Sequence, residues 1–279
     1  MLSIIKENKK QPLVESIDYF ACGYCTNKIE NIFSDVKKKK IIFEAGVFLI
    51  KHRKYGYILY DTGYNVKILK NKPKYFLYRF LNPINIREES MINFQLERRG
   101  VKTEEIKYII LSHLHPDHIG GLEYFPKSEI IISKKCFNEF ERNALSSLIF
   151  KDLLPRDFKD RLTIIEPLTE DKNFKYLKSY DLFSDGSILL TELDGHSSGQ
   201  CCAYIKEKNL FIAADTTWRI EFLDMIDKMR FLPRLIQNNF SEYQKSIAIL
   251  KKIQNDGVKV LVSHDKSSRV WKVLNEKNI

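Results

Sequence analysis

Four side chains able to hold a metal ion fall within six positions of this chain: His113, His115, Asp117 and His118, in the stretch Ser112-His113-Leu114-His115-Pro116-Asp117-His118-Ile119-Gly120-Gly121. In an extended segment residues i and i+2 point to the same side, so His113 and His115 can grip one ion together. Pro116 disfavours helix at His115 and helps to hold it extended. A turn after it lets Asp117 and His118 face a second ion, and Gly120-Gly121 permits close backbone packing behind that turn. Imidazole and carboxylate ligands suit Zn, Fe, Mn or Co better than Ca or Mg. The chain has six histidines and half of them stand here, so clustering by chance is a poor explanation.

The other candidates lie further on. His196 sits in Asp194-Gly195-His196-Ser197-Ser198-Gly199, Asp215 follows the apolar run Leu210–Ala214, and His264 sits in Ser263-His264-Asp265. A lone histidine after a strand is ordinarily a loop residue. Here each candidate stands where a strand-like run ends, which is where α/β folds gather their sites, and the set gains weight from that shared position.

The elements that must position them are legible from apolar patterning. Ile41–Ile50 and Gly56–Tyr60 read as paired strands, ending at the turn signal Asp61-Thr62-Gly63. Tyr64–Pro83 is basic and aromatic and reads as a packed lid or partner-facing segment, with base stacking on nucleic acid as the lesser reading. Glu88–Arg99 reads as a helix stopped by Gly100, and Lys107–Ser112 as a buried strand leading into the histidine cluster. Ser128–Ser133 reads as a strand, Cys136–Phe150 as a helix, and Lys151–Lys178 as charged and irregular. Ser187–Leu193, Cys201–Ile205, Leu210–Ala214 and Val258–Ser263 are strand-like. Ser241 with Gln244 makes a capping box for a helix carrying Tyr243, Ile247, Leu250 and Ile253, ended by Asp256-Gly257. Strands and helices alternate in two halves without a Pro/Gly/Ser linker. The expectation is one α/β domain over residues 1–279, with two sheets packed together and helices outside.

Composition sets limits. With 279 residues, 44% of them apolar and 29% charged, the chain can bury a large core. The net charge of +10 comes from 46 basic and 36 acidic residues scattered along the sequence, so it reads first as a solubilising surface; the densest run, Lys37–Lys40, reads as a solvated turn entering a strand. Nucleic acid is therefore a disfavoured partner. Five irregularly spaced cysteines imply no disulfide framework. Met1–Lys10 lacks a continuous apolar core of signal-peptide length, and no stretch is long and apolar enough to span a bilayer, so a cytoplasmic protein without a membrane partner is expected.

As a set, these motifs resemble those of the metallo-β-lactamase superfamily: H-x-H-x-D-H as His113–His118, then the single His196, Asp215 and the final His264, with Asp61 as the early aspartate. The resemblance covers roughly Ile41 to His264. It implies an αββα sandwich, a four-layer α/β architecture, with a two-metal site between the sheet edges. Carried over by position, His113, His115 and His196 would hold one ion, Asp117, His118 and His264 the other, and Asp215 both. The resemblance also implies a hydroxide bridging two divalent ions, zinc foremost with Fe, Mn or Co compatible, as nucleophile. Asp61 would orient the ligand loop, and Asp117 would also handle a proton.

The branch can be narrowed. True β-lactamases of this fold lack an equivalent of Asp215, and the di-iron flavoprotein branch carries Glu where this chain has His115. Glyoxalase II enzymes carry a further helical domain, and only fifteen residues follow His264. The nuclease branch needs a long insertion between Asp215 and His264, where only 48 residues intervene. The layout is closest to the N-acyl-homoserine lactonase-like group, with two departures. Trp218 stands where known lactonases have Tyr; its indole N–H can donate a hydrogen bond but it has no acidic hydroxyl. The stretch between His118 and His196 is also longer. The resemblance implies a binuclear hydrolase of a small ester-like bond, with Asp117, Asp215 and Trp218 as catalytic candidates, a small-molecule substrate, and a homodimer as a compatible state. A metallo-phosphodiesterase or ribonuclease-type hydrolase is the alternative, and a mononuclear iron dioxygenase a third reading.

Other residues are assigned humbler roles. Cys22-Gly23-Tyr24-Cys25 reads as a surface or redox-accessible pair, since no second C-x-x-C completes a zinc site. Cys201 and Cys202 read as core, and His52 as exposed in a basic turn. Met225, Ile226, Met229, Phe231 and Leu232 read as core or lid packing after Trp218, with lining of an acyl-chain pocket as a second role.

Overall fold

Val47, Phe48, Leu49 and Ile50 are consecutive and all buried, the mark of a strand covered on both faces. They lie in β2 (Lys40–His52), which follows β1 (Val14–Lys28) and α1 (Ile29–Ile32) in a computed structural model that describes residues 11–142, 144, 147–171 and 174–276. The expectation about Met1–Lys10 falls outside the described residues. The chain continues through β3 (Gly56–Tyr60), α2 (Pro73–Leu81), β4 (Ile84–Asn85), α3 (Ile92–Arg98), β5 (Ile106–Ile110), α4 (Pro116–Ile119), β6 (Glu129–Ser133), α5 (Lys134–Arg142) and β7 (Leu162–Ile165). Then come β8 (Thr169–Asp171), β9 (Phe174–Asp181), β10 (Ile188–Glu192), β11 (Cys201–Ile205) and β12 (Leu210–Ile212). The last elements are α6 (Phe231–Leu235), α7 (Phe240–Asn255), β13 (Lys259–Leu261) and α8 (Ser267–Asn275).

Two mixed sheets result. The first has the order β4-β1-β2-β3-β5-β6-β7 and the second β13-β12-β11-β10-β9-β8. β1, β2 and β3 pair antiparallel, with Phe48 opposite Tyr60 and Ile50 opposite Ile58, and β3, β5, β6 and β7 run parallel. In the second sheet β12 and β13 are parallel and the other pairs antiparallel.

Period-two alternation then sorts the side chains into layers. Phe48, Ile50, Ile58, Tyr60 and Ile110 of the first sheet meet Leu190, Ala203 and Ile212 of the second in a central core. The opposite face of the first sheet, with Val47, Leu49 and Leu59, packs on Ile92 and Leu96 of α3. The opposite face of the second, with Leu189, Phe211 and Val260, packs on Tyr243, Ile247, Leu250 and Ile253 of α7. The fold is thus α/β, a four-layer αββα sandwich. Truncating Phe48 or Ile50 to Ala in the central layer would cost about 2–5 kcal/mol.

The two sheets are stitched together at one edge. Cys201 N donates to Ser112 O (2.7 Å), Gly46 N to Ser263 O (3.0 Å), and the Tyr60 hydroxyl to Cys201 O (2.6 Å). That edge carries the C-terminal ends of β3, β5, β10, β12 and β13, and the candidate site residues leave from it.

Several expectations are corrected. The helix expected over Cys136–Phe150 ends at Arg142, and the chain turns through a left-handed Leu148 (φ 52°); residues 143, 145 and 146 lie outside the described residues. Lys151–Lys178 is not irregular, because it supplies β7, β8 and most of β9; these strands sit towards the sheet edges, where exposed polar positions blur the alternation, and residues 172 and 173 are not described. The cap of α7 is Asn239, which accepts from Glu242 N (3.2 Å), two residues before the expected Ser241. His52 is buried, with Nε2 3.2 Å from Ser187 Oγ and its Nδ1 accepting from Lys54 N (3.1 Å). Cys22 and Cys25 are buried in β1 rather than at the surface, where the positive φ of Gly23 (85°) accompanies a break in register. Cys201 and Cys202 are core, as expected.

Candidate metal centre

Each candidate residue follows a strand end. β5 leads to His113, β10 to His196, β12 to Asp215, β13 to His264, and β3 to Asp61. His115 is extended (φ −71°, ψ 155°), and Pro116 opens the single turn α4 that carries Asp117 and His118. This turn is clamped from behind by the loop after β3. Thr62 N donates to His118 O (2.7 Å), Gly120 N to Gly63 O (2.8 Å), and the Asn65 amide to Gly120 O (2.9 Å). A Cβ on Gly120 would lie 2.5 Å from Asn65 N, so glycine is needed for that approach.

The seven expected ligands converge in three overlapping groups: His113, His115 and His196; His113, His118 and Asp215; Asp117, His118 and His264. His113 Nε2 is 2.9 Å from His115 Nδ1, which is 3.2 Å from His196 Nε2. Asp117 Oδ2 is 3.6 Å from both His118 Nε2 and His264 Nε2. The Asp215 carboxylate stands between the two sets. Its Oδ2 is 3.4 Å from His196 Nε2 and 2.9 Å from His264 Nε2, and its Oδ1 is 3.7 Å from His118 Nε2. Tetrahedral ligands at about 2.0–2.1 Å from an ion stand about 3.3 Å apart, and these separations bracket that edge.

Three of the rings are held from outside by a partner. His118 Nδ1 meets Asp61 Oδ2 (2.8 Å), His264 Nδ1 meets the Glu44 carbonyl (2.7 Å), and His196 Nδ1 meets Gln237 Oε1 (2.9 Å). Such contacts fix the tautomer and leave Nε2 turned inward. Asp61 is itself buried, in a left-handed conformation (φ 62°), and accepts from both Ser112 N and Ser112 Oγ (2.8 Å each). Gln200 Oε1 accepts from Asp215 N (3.2 Å). A buried phenol pair completes the shell: Tyr78 OH donates to Asp117 Oδ1 (3.4 Å) and lies 3.4 Å from Tyr64 OH. Trp218 is half-buried, with its ring edge-on to His196 (centroids 6.5 Å) and to Phe43 (6.4 Å).

Burial holds His113 and His115 well below the ordinary imidazole value, and the neighbouring imidazoles push the same way; His196 is lowered by burial. At His118 burial also opposes the charge, but Asp117, Asp61 and Asp215 outweigh it and push the group up to about 10. His264 is pushed up to about 9 by Asp215 and Asp117 against the same burial. Asp215 is held well below the usual carboxylate range, since His264, His118 and His196 overcome its own desolvation. His118 Nε2 and Asp215 Oδ1 are buried and make no hydrogen bond among the described residues. Two inward-facing polar atoms without partners, amid N and O donors only, fit divalent transition-metal ions.

All seven ligand candidates, Asp61 and Trp218 are thus brought to one place. Sequence reasoning missed Gln237, Gln200, Tyr64, Tyr78 and the Glu44 carbonyl. Of these only the tyrosines carried a signal, as part of the aromatic stretch 64–83.

The sequence profile of the Metallo-beta-lactamase superfamily matches residues 47–264, a span containing every candidate ligand. The chain belongs to the metallo-β-lactamase superfamily. It is 30% identical over 79 residues to a protein of Mycobacterium tuberculosis named as a metallo-hydrolase, a match covering 28% of this chain and 25% of that one. The chain thus spans about a quarter of the length of that relative. An N-acyl homoserine lactonase of Bacillus thuringiensis is 24% identical over 272 residues, 92% of this chain and 98% of that one. Among solved structures, a variant of the lactonase AiiA of Bacillus thuringiensis, with N-decanoyl-L-homoserine bound at its active site, is similar at a TM-score of 0.71 and 21% identity. That likeness covers 92% of this chain and 96% of that one, and it concerns the fold.

Proposed function

We propose that this superfamily member hydrolyses a small ester-like bond, a lactone foremost, with the whole chain acting as one catalytic unit around two divalent transition-metal ions, zinc first among them. The observation that carries the reading is the Asp215 carboxylate lying between two separate ligand sets. His113, His115 and His196 would hold one ion, Asp117, His118 and His264 the other, and Asp215 both. Two such ions supply a lowered pKa for shared water and a charge that polarises the substrate carbonyl.

The chain's own groups do the rest. Asp117 is the carboxylate that can take a proton and pass it to the departing alkoxide, with Oδ1 oriented by Tyr78. Asp61, the Glu44 carbonyl and Gln237 keep His118, His264 and His196 in one tautomer. Trp218, whose ring lies beside His196, would donate its N–H to the carbonyl oxygen, the task the lactonase tyrosine would serve. The lactone preference is supported by full-length alignment with the Bacillus lactonase. A mononuclear dioxygenase reading would leave Asp117, His118 and His264 without a task. The test is Asp215→Ala assayed on lactones, thioesters and phosphodiesters. Loss of lactone turnover in a folded variant is expected, and unchanged turnover would overturn the proposal.

A further inference from the structure

The face of α2 opposite Tyr75 and Tyr78 is apolar and exposed: Phe76, Leu77, Phe80 and Leu81 point to solvent, Phe80 at 73%. α6 repeats the pattern with Phe231, Leu232 and Leu235, Leu232 at 72%. Soluble proteins seldom leave so many large apolar side chains contiguous and uncovered without a use for them.

The two helices flank the same rim. Past the end of α2, Pro83 O accepts from Thr26 N (3.0 Å), at the end of β1. β1 runs directly into α1, and α1 is tied to the start of α6 through Arg230 N to Ile32 O (2.8 Å), with Ser34 N to Lys228 O (2.9 Å) beside it. Both helices also reach the metal centre, α2 through Tyr78 and the segment after α6 through Gln237.

Charge is concentrated on the same segments. Residues 66–81 hold five basic and no acidic side chains, residues 28–40 five and two, and residues 219–236 four and three, so nine of the ten net positive charges fall on these segments, which revises the expectation of an even scatter. Some are partly neutralised: Lys67 pairs with Glu123, while Lys72 and Lys74 share the single carboxylate of Asp152. Lys70, Lys228, Arg230 and the run Lys37–Lys40 are exposed around the apolar residues.

We propose that this rim docks peripherally on an anionic phospholipid surface, with the apolar faces of α2 and α6 entering the headgroup–acyl boundary and the surrounding lysines and arginines meeting lipid phosphates. No helix among the described residues is long and apolar enough to cross a membrane, and none is needed, because the contact lies in the interface plane. A second copy of the chain is a poorer occupant, since a two-fold interface would set the same basic segments against each other. Closure over substrate does not explain the patch either, because the buried Tyr75 and Tyr78 take the inward face of α2. Peripheral docking departs from the sequence expectation of no membrane partner, which rested on the lack of an apolar stretch long enough to span a bilayer. It does not depend on the lactone reading.

The test is co-sedimentation of the full chain with mixed phosphatidylserine–phosphatidylcholine vesicles and with pure phosphatidylcholine vesicles. The expected result is partitioning onto the anionic vesicles only, weakened by salt. Phe76→Ser with Phe80→Ser should lower it at least about tenfold while leaving turnover of a water-soluble ester unchanged. Lys70→Glu with Lys228→Glu, two exposed positions, should weaken it independently of any apolar change. Absence of partitioning, equal partitioning of the apolar variant, or indifference to lipid charge would overturn the proposal. So would self-association that Phe76→Ser with Phe80→Ser abolishes, or binding to single-stranded RNA in place of vesicles.

Discussion

Asp61→Asn isolates the part of the account that rests on orientation rather than on direct ligation. Asp61 is wholly buried and accepts from Ser112 N, Ser112 Oγ and His118 Nδ1, each at 2.8 Å. Asn keeps the shape, and its oxygen can still accept from Ser112 N. Its NH2 group, however, then faces His118 Nδ1 as a donor. To accept that hydrogen bond His118 must move its proton to Nε2, the inward atom that now lacks a partner and that an ion requires. Loss of such an orienting contact typically costs 10–100-fold in metal affinity, about 1.4–2.7 kcal/mol. The loss should fall on one of the two ions, because His113, His115 and His196 do not contact Asp61 through this hydrogen bond. Chelator competition followed by fluorescence would read the two affinities, kcat/KM on a soluble lactone should fall in parallel, and a thermal melt would confirm the fold. A folded Asp61→Asn protein that binds both ions as tightly as wild type would refute the reasoning.

The remaining predictions follow from the same geometry. With His118 pushed up to about 10 and His264 to about 9, ion uptake must expel protons, so affinity should rise about tenfold per pH unit for each proton released as pH increases towards 9; a pH-independent dissociation constant by calorimetry would contradict this. The metal-free fold should behave oppositely. The two raised imidazoles stabilise it fully below the unfolded value of about 6.5 and stop doing so as pH climbs through 9–10, while the lowered His113 and His115 cost stability as pH falls below that value; its melting temperature should therefore decline on both sides of neutrality. Trp218→Phe keeps the edge-on packing against His196 but deletes the N–H, so kcat/KM should fall about 10–100-fold with metal content unchanged; an undiminished rate would remove Trp218 from the catalytic set. Gly195→Ala places a Cβ 2.1 Å from Tyr243 N at a φ of 119°, which should cost about 2–6 kcal/mol and loosen the loop carrying His196; an unaltered melt would show that α7 yields more easily than its packing indicates.

How much of this was legible in sequence depended on whether a residue's type carries its role. His113, His115, Asp117 and His118 were readable because ligand side chains are uncommon and their spacing is local. His196, Asp215 and His264 followed because each ends an apolar run. Glu44 could not be read, because it orients His264 through a backbone carbonyl that every residue owns. Gln237 was equally silent, since its link to His196 spans 41 positions and passes through no pattern. The strands of the sandwich were visible in the nearly continuous apolar runs of β2, β5 and β10. β7 and β8 were not, because half-exposed edge strands carry no such run. His52 looked like a surface residue among basic neighbours, and long-range contacts with Ser187, Phe183 and Asp185 bury it.

The central claim is that one carboxylate, Asp215, serves two ions. The most direct test is the metal content per folded chain, by plasma mass spectrometry, for wild type and for Asp215→Ala after reconstitution with zinc. The account predicts two ions per wild-type chain, at most one in the variant, and no turnover in the variant. A fully active wild-type enzyme holding a single ion would contradict it.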